Sequence, residues 1–295
     1  MHTYLRAIGF SKLSDRKKLK ELLHSVIKEA DRRAYTINQE EILLGDFCKD
    51  FADGLGIAVC GEFDEADQFT YEYYYPYLIG DGVTTSEEVF VERHVDKDSF
   101  AGVCEDTNIS TSIIFYLRDR ISYLKMAALD MYPVQGSTLT LAGMSVSGMI
   151  MMPILKNEKQ KKQINKTKEV RHNLLKAAQK GDTDAMDTLF FHELDQYNVV
   201  INKLQRQDVY SLVDTYFMPY GAECDQYSVL GEITAMRKVQ NSLSGEEIYI
   251  LTICCNELTF DVCINIIDLF GEPQVGRRFK GVVWLQGNIN YPNLT

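Results

Sequence analysis

The first thirty residues combine a short apolar run with one clear helical pattern. The run at residues 1–10 contains Tyr4, Leu5, Ile8 and Phe10 and predicts a strand. Apolar side chains then recur at helical spacing up to about residue 29, after an N-cap at Ser14 or Asp15. The apolar positions of this predicted helix are Leu19, Leu22, Leu23, Val26 and Ile27.

Residues 37–80 have the apolar spacing of strands. Glycines and Pro76 interrupt the pattern and predict turns between the strands. Residues 71–77 are aromatic at nearly every position. Alternation along this strand predicts that Tyr71, Tyr73 and Tyr75 are buried on one face.

Beyond residue 80 the predicted elements are shorter. Their apolar runs are brief and are separated by polar and charged residues. We predict strands at 88–95 and 112–117, a helix or a strand at 120–129, and a hairpin rich in small residues at 139–155.

The amino-acid composition of the chain changes at residue 156. Residues 156–171 carry seven basic and two acidic side chains and few large apolar ones, which is typical of a solvated connector. A helical pattern follows to about Gln207, with a break at Gly181. We therefore predict a basic, helical connector over residues 156–207.

The last ninety residues have the pattern of a strand-rich module. Met218-Pro-Tyr-Gly221 and Asn256-Glu257 predict tight turns between strands. Five strands with a short helix before the last one fit a small, partly closed barrel of the OB type. The predicted strands lie at 209–217, 227–239, 247–255, 258–264 and 279–289.

These patterns predict an α+β fold in three parts. The parts are an N-terminal mixed α/β domain at 1–155, the helical connector at 156–207, and a C-terminal five-stranded barrel-like (OB-like) module at 208–295. A chain of 295 residues is longer than a typical single domain, which agrees with this division.

Charge limits the classes of partner. The net charge is −11, distributed as −9 over residues 1–155, +2 over 156–220 and −4 over 221–295. Because phosphate binding depends on clustered lysine and arginine, this distribution disfavours a nucleic-acid partner.

Hydropathy and cysteine usage indicate the compartment. No run approaches the ~20 apolar residues of a membrane-spanning helix, and residues 1–10 lack the features of a signal peptide. The seven cysteines show no C-x-x-C spacing and fit reduced thiols. We expect a cytoplasmic protein that does not associate with membranes.

Four separated stretches of the chain are distinctive. They are His2-Thr-Tyr-Leu-Arg-Ala-Ile-Gly-Phe10, Leu139-Thr-Leu-Ala-Gly-Met-Ser-Val-Ser-Gly-Met-Ile-Met-Met-Pro153, Val213-Asp-Thr-Tyr-Phe-Met-Pro-Tyr-Gly-Ala-Glu-Cys-Asp-Gln-Tyr227 and Gly276-Arg-Arg-Phe-Lys-Gly-Val-Val-Trp-Leu-Gln-Gly287. Together they resemble a family of uncharacterised proteins, a domain of unknown function, from Gram-positive anaerobic bacteria. The resemblance covers the whole chain and implies a bacterial cytosolic protein. It implies no activity, ligand, cofactor or catalytic residue.

Residues 92–98 are the candidate metal site. On a strand, Glu92, His94, Asp96 and Asp98 would share one face. An imidazole with carboxylates is a ligand set for zinc, manganese or non-haem iron. The alternative is an edge strand with a solvated charged face.

Sequence signatures of other catalytic sites are missing. The chain contains no Gly-x-Ser-x-Gly, His-Glu-x-x-His, Gly-x-Gly-x-x-Gly or Walker A motif. The adjacent Cys254 and Cys255 are interpreted as core residues, since cysteine is often buried. No catalytic residue or cofactor is therefore assigned.

A basic loop beside the only tryptophan is the candidate binding surface. Alternation along the last strand predicts that Phe279, Gly281, Val283 and Leu285 point inward and that Trp284 points outward. An exposed tryptophan flanked by arginines is typical of a protein-interface anchor. The alternatives are single-stranded nucleic acid, which the net charge disfavours, and a buried Trp284. The proposed binding residues are Arg277, Arg278, Lys280 and Trp284.

Two functions of different classes remain. We expect a non-enzymatic cytosolic binding or scaffolding protein with another protein as partner, because no catalytic constellation emerges. The alternative is a metal-dependent enzyme that uses the Glu92/His94/Asp96/Asp98 face.

Overall fold

The computed structural model describes residues 2–93, 99–106, 112–154 and 213–292, with seven single positions between 170 and 188. Within these ranges the protein is mostly β. Its strands form a four-stranded sheet and an eleven-stranded sheet, and two α-helices pack with them. Most of the predicted connector lies outside the described residues. At Val170, Asn173, Leu174 and Ala177 the backbone is helical.

The first sheet is a four-stranded antiparallel meander. Its strands follow the chain order because each is joined to the next by a short turn. The strand prediction for residues 37–80 is confirmed. The strands are β1 (Arg32–Ile37), β2 (Leu43–Ala52), β3 (Leu55–Phe63) and β4 (Phe69–Leu78).

The predicted first helix is confirmed as α1 (Arg16–Lys28). The carboxylate of Asp15 caps it by accepting a hydrogen bond from the Lys17 amide at 2.8 Å. The helix buries Leu19, Leu22, Leu23 and Val26, the apolar stripe that the sequence predicts.

The predicted strand at residues 1–10 is wrong. Thr3–Arg6 forms a 3-10 helix, and the chain then turns at Gly9, where φ is +90°. Tyr4, Leu5 and Ile8 are all buried. A helical turn brings these positions to one side, whereas alternation along a strand would place Tyr4 and Leu5 on opposite faces.

The second sheet is mixed and contains the remaining strands. The 3-10 turn Ile266–Asp268 precedes one of them. Its strands are β5 (Val89–Arg93), β6 (Phe100–Cys104), β7 (Ile113–Leu117), β8 (Thr138–Ser145), β9 (Gly148–Met151), β10 (Tyr216–Pro219), β11 (Gln226–Gln240), β12 (Glu247–Cys255), β13 (Leu258–Asn265), β14 (Leu269–Phe270) and β15 (Arg278–Asn290).

Five strands of the second sheet close a ring in the order β11, β12, β13, β8, β15 and back to β11. The ring is not a true barrel, since β15 also pairs with β7 and β9. One of the five strands of the ring is β8, which comes from the N-terminal part of the chain. In the predicted module, the fifth strand was instead the one that precedes β11. Among the described strands, that strand, β10, pairs only with β11, and it contains Pro219, which has no N–H to donate to a further strand.

The predicted hairpin at 139–155 is wrong, although the chain does bend there. Strands β8 and β9 both pair with β15, β8 along Leu285–Asn290 and β9 along Arg278–Gly281. The long strand β15 therefore takes the ladder bonds that a hairpin would have used.

Residues 120–129, left open between helix and strand, form α2 (Arg120–Ala128). The Asp119 carboxylate accepts a hydrogen bond from the Ser122 amide at 3.1 Å, which defines where the helix begins. None of the described helices is long and apolar enough to span a membrane.

Two apolar cores support the sheets. The first joins the N-terminal segment, α1 and the four-stranded sheet, and it includes Trp284 from β15. The second contains apolar residues from all five strands of the ring, Phe279, Val283 and Leu285 among them. Both cores combine residues that precede 155 with residues that follow 213.

Candidate functional site

The predicted metal site is only partly described. Glu92 lies exposed on the edge strand β5, whereas His94, Asp96 and Asp98 lie outside the described residues. The described part of the chain contains no group of three or more potential metal ligands. Metal binding at this segment stays a prediction.

The predicted exposure of Trp284 is wrong, although the alternation along β15 is correct. Phe279, Val283 and Leu285 point into the ring core, and Trp284 points to the other face. That face is covered: Trp284 is 6% exposed, stacks on Tyr4 with ring centroids 5.3 Å apart, and donates a hydrogen bond to Asp225 at 2.7 Å. Sequence alternation reports the two faces of a strand but not what covers the second one.

The predicted basic loop is also less open than expected. Arg278 is 7% exposed, and its guanidinium donates to the main-chain oxygens of Met152 at 3.1 Å and Val213 at 2.8 Å. Arg277 donates to the Glu272 oxygen at 2.7 Å, and Lys280 is partly exposed. Trp284 is therefore not an exposed anchor, and binding through Arg277, Arg278, Lys280 and Trp284 stays a prediction.

A different set of polar side chains converges in a cleft between the two sheets. The cleft has a volume of about 660 Å³. One wall is the face of the four-stranded sheet that lies opposite α1, and the other is the connection from β7 to α2. Residues from both walls line it, among them Ala34, Cys48, Tyr77, Ile79, Arg118 and Asp119.

Alternation along the strands explains which side chains reach the cleft. Asp46, Cys48 and Asp50 lie on one face of β2, and the register aligns them with Tyr75 and Tyr77 two strands away. A small residue must lie between them on β3. At Gly56, a Cβ would come within 2.1 Å of the Lys49 oxygen and 2.5 Å of the Tyr77 hydroxyl.

A buried ion pair closes one end of the cleft. Arg120, the first residue of α2, donates from Nε and Nη2 to one oxygen of Asp46, at 2.9 and 2.7 Å. Arg120 is 2% exposed and Asp46 6%. Burial raises the pKa of the Asp46 carboxyl, and the Arg120 guanidinium opposes that rise.

A second ion pair lies at the mouth of the cleft. Arg32 binds both carboxylate oxygens of Asp50, at 3.0 and 3.2 Å, and also donates to the Tyr77 hydroxyl at 2.8 Å. The Tyr77 hydroxyl in turn donates to Asp50 at 2.6 Å. Burial, followed by this hydrogen bond, raises the pKa of Tyr77. The three side chains therefore hold one another in a fixed arrangement.

Arg118 lies between these two ion pairs, and its contacts differ from those of Arg32 and Arg120. Its guanidinium donates to the Leu78 main-chain oxygen at 3.2 Å, and it forms no ion pair with a described carboxylate. Burial lowers the pKa of Arg118, against the smaller opposing influence of Tyr75 and Asp119. The side chain remains a cation at neutral pH, because arginine has a pKa above about 12.

Cys48 is the one thiol among the described residues that line the cleft. Burial raises the pKa of the Cys48 thiol to about 12, so the thiol is protonated at neutral pH and a poor nucleophile. No histidine lies among the described residues that line the cleft.

The sequence contained a signal for this cleft that pattern analysis did not use. Arg118-Asp119-Arg120 is a charged triplet where a buried strand is followed by a helix, and Asp46 is the one charged residue in the first half of β2. Charges at such positions are rarely left in a core without partners. Only the fold shows that Asp46 and Arg120 belong to the same pair.

Comparison with known protein families confirms the resemblance seen in the sequence. A family model described as "Domain of unknown function, E. rectale Gene description (DUF3881)" matches residues 5–287, nearly the whole chain. The description refers to a Gram-positive anaerobe, which supports a bacterial origin. No match was found among curated proteins or among solved structures.

Proposed function

We propose that this chain, which belongs to the DUF3881 family, is a cytosolic, non-enzymatic binding protein whose small-molecule ligand occupies the cleft between the two sheets. The observation that carries the proposal is the cleft itself, a space of about 660 Å³ into which polar side chains from both sheets converge. Ligand sites in proteins typically have volumes of about 300–1,000 Å³ and a few placed polar groups.

The rigidity of the walls supports a preformed site. The Asp46–Arg120 pair joins β2 to α2, and the Arg32–Asp50–Tyr77 group joins β1, β2 and β4. Gln286 adds a further link by donating to the Pro76 oxygen of the first sheet at 2.8 Å. A site that is already ordered loses little conformational entropy when a ligand binds. In this proposal the ring of five strands has a structural role, because it supports the cleft.

The protonated Cys48 thiol and the lack of a histidine among the described cleft residues favour binding over catalysis. The metal-dependent enzyme remains the alternative, and it depends on residues 94–98.

A ligand screen with a blocked variant tests the proposal. We expect one or more compounds from a library of organic acids, amino acids, sugars and nucleotides to raise the melting temperature (Tm) of the protein, because a ligand that binds only the native state stabilises it. Ala34→Trp should fill the cleft and abolish the rise.

The matched control is Tyr35→Trp, on the same strand but on the opposite face. This variant should keep the full response. The proposal is wrong if no compound in the library shifts the Tm, or if the shift persists unchanged in Ala34→Trp.

A further inference from the structure

Two arginines at the cleft form ion pairs, and a third, the exposed Arg33, donates to the Lys28 main-chain oxygen at 3.2 Å. Arg32 has Asp50, and Arg120 has Asp46, each within 3.0 Å. Arg118 also contributes its guanidinium to the lining but donates only to a main-chain oxygen among the described residues. Arg118 is partly buried. A cation that is partly removed from water and has no counter-ion is unfavourable, so proteins usually pair such charges or use them to bind an anion.

Arg118 is held in place before any ligand arrives. Its main-chain N–H donates to the Gly287 oxygen at 3.0 Å, and its carbonyl accepts from the Tyr75 hydroxyl at 2.7 Å. The Leu78 oxygen holds the guanidinium at 3.2 Å. Of the five N–H donors of an arginine, most therefore remain for a ligand.

The carboxylates closest to Arg118 favour an anion with a single negative charge. Asp119 lies next to Arg118 in the chain and lines the same cleft, where one of its oxygens caps α2. The Asp46 carboxylate also lies in the lining, paired with Arg120. A dianion such as a phosphate monoester would be repelled by these carboxylates, whereas a carboxylate brings one charge and matches the planar guanidinium.

We propose that the ligand of the cleft is a small monocarboxylic acid whose carboxylate binds the Arg118 guanidinium. This inference rests on the proposed function and adds the chemical class of the ligand. The rest of the molecule extends past Cys48 and Ile79, the less polar part of the lining. Discrimination then follows from charge, because a neutral amide of the same shape leaves Arg118 without a counter-ion.

Matched pairs of probes test the charge requirement directly. Benzoate and benzamide, 3-phenylpropionate and its amide, and hexanoate and its amide are titrated into the full chain by calorimetry, with phenyl phosphate as the dianion. We expect at least one carboxylate to bind ten-fold or more tightly than its amide and than phenyl phosphate.

Variants of Arg118 test whether this residue causes the preference for carboxylates over amides. Arg118→Gln should reduce the carboxylate affinity at least ten-fold and leave the amide affinity unchanged. Arg118→Lys should recover part of the carboxylate affinity. Arg237→Gln is the matched control, because Arg237 pairs with Asp53 away from the cleft, and it should change nothing. The Tm of the ligand-free Arg118→Gln protein should not fall, since the variant removes an unpaired charge.

The outcomes separate this inference from the proposed function. The proposal of a monocarboxylic acid is wrong if the amides or phenyl phosphate bind as tightly as the carboxylates, or if only other compounds of the screen bind. In either case the proposal that a ligand occupies the cleft remains. If no probe and no library compound responds to Ala34→Trp, both proposals fail. If Arg118→Gln lowers the Tm without changing the ratio of carboxylate to amide affinity, Arg118 has only a structural role.

Discussion

Arg120 and Asp46 form a buried ion pair in which Nε and Nη2 of the arginine donate to the same carboxylate oxygen, at 2.9 and 2.7 Å. The two residues lie 74 positions apart in the chain, one at the start of α2 and the other in the middle of β2. The guanidinium also lies over the ring of Tyr73, 5.3 Å from its centroid. This contact therefore joins the two walls of the cleft, together with the hydrogen bond from the Tyr75 hydroxyl to the Arg118 carbonyl.

We expect Arg120→Ala and Asp46→Ala each to lower the free energy of unfolding by about 3–5 kcal/mol, because each leaves a buried charge without its partner. Urea denaturation measures the change. Replacing both residues with apolar ones, Asp46→Leu with Arg120→Met, should recover much of the loss. The exposed pair Lys238–Glu247 provides the control, and Lys238→Ala should leave the urea midpoint unchanged. Equal midpoints for Arg120→Ala and Lys238→Ala would contradict this prediction.

Trp284 is the only tryptophan, so its fluorescence reports its environment directly. Because it is 6% exposed and stacked on Tyr4, we expect a blue-shifted emission maximum and little quenching by iodide. Tyr4→Ala should shift the emission toward that of solvated indole and increase quenching. Tyr220→Ala, at an exposed tyrosine, is the control and should leave the spectrum unchanged. Strong quenching of the unmodified protein would show that Tyr4 and the N-terminal segment do not cover Trp284.

Stability should fall at alkaline pH. Burial raises the pKa values of Cys48, Cys104 and Cys255 to about 12, whereas a thiol in the unfolded chain has a pKa of about 8.5. Above the unfolded pKa the unfolded chain loses protons that the native state keeps, so the stabilising contribution is complete below pH ~8.5 and decreases until pH ~12. Each thiol accounts for at most about 1.4 kcal/mol per pH unit in this window.

Urea unfolding at pH 7.5, 9 and 10.5 measures this decrease. Cys48→Ala should make the decline less steep, and Cys224→Ala, at an exposed cysteine, should not. A free energy of unfolding that is constant up to pH 10.5 would be inconsistent with buried thiols.

The metal hypothesis makes a simple thermal prediction. Glu92 is exposed on the edge strand β5, which agrees with the alternative of a solvated charged face. On that alternative we expect no rise in Tm on addition of zinc, manganese or iron(II). A rise that disappears in His94→Ala and persists in His24→Ala would support the metal-dependent enzyme instead.

Local patterns determined several elements before any tertiary contact was considered. The stripe from Leu19 to Val26 and the cap at Asp15 define α1, since both are properties of a single helix. Asn256 and Glu257 produce the turn between β12 and β13, where φ is +49° and +72°. Alternation also assigns the correct face to every inward residue of β15, because the period of a strand is independent of its partners.

At other positions, pairing between strands gave a burial or a strand partner that differs from the prediction. Tyr71 is 41% exposed despite its predicted burial. The neighbouring residues Cys60 and Gly61 pair with Tyr73 and Tyr71, so Glu72 is an extra residue on β4 that changes the alternation there. Strand β6 was missed, and Leu139 and its neighbours joined β15 instead of forming a hairpin. Pairings between strands that lie more than a hundred residues apart leave no periodic signal in either strand.

The sequence alone therefore determined the strand-rich character, the first helix, the strands within residues 37–80 and the family resemblance, all of which depend on local periodicity or on stretches of recognisable residues. Only the tertiary structure decided that Trp284 is covered by Tyr4 and that Arg118, Asp46 and Tyr77 meet in one cleft. The reason is geometric: a cleft is formed by residues from distant segments. Their distances are set by how two sheets pack, which no single segment encodes.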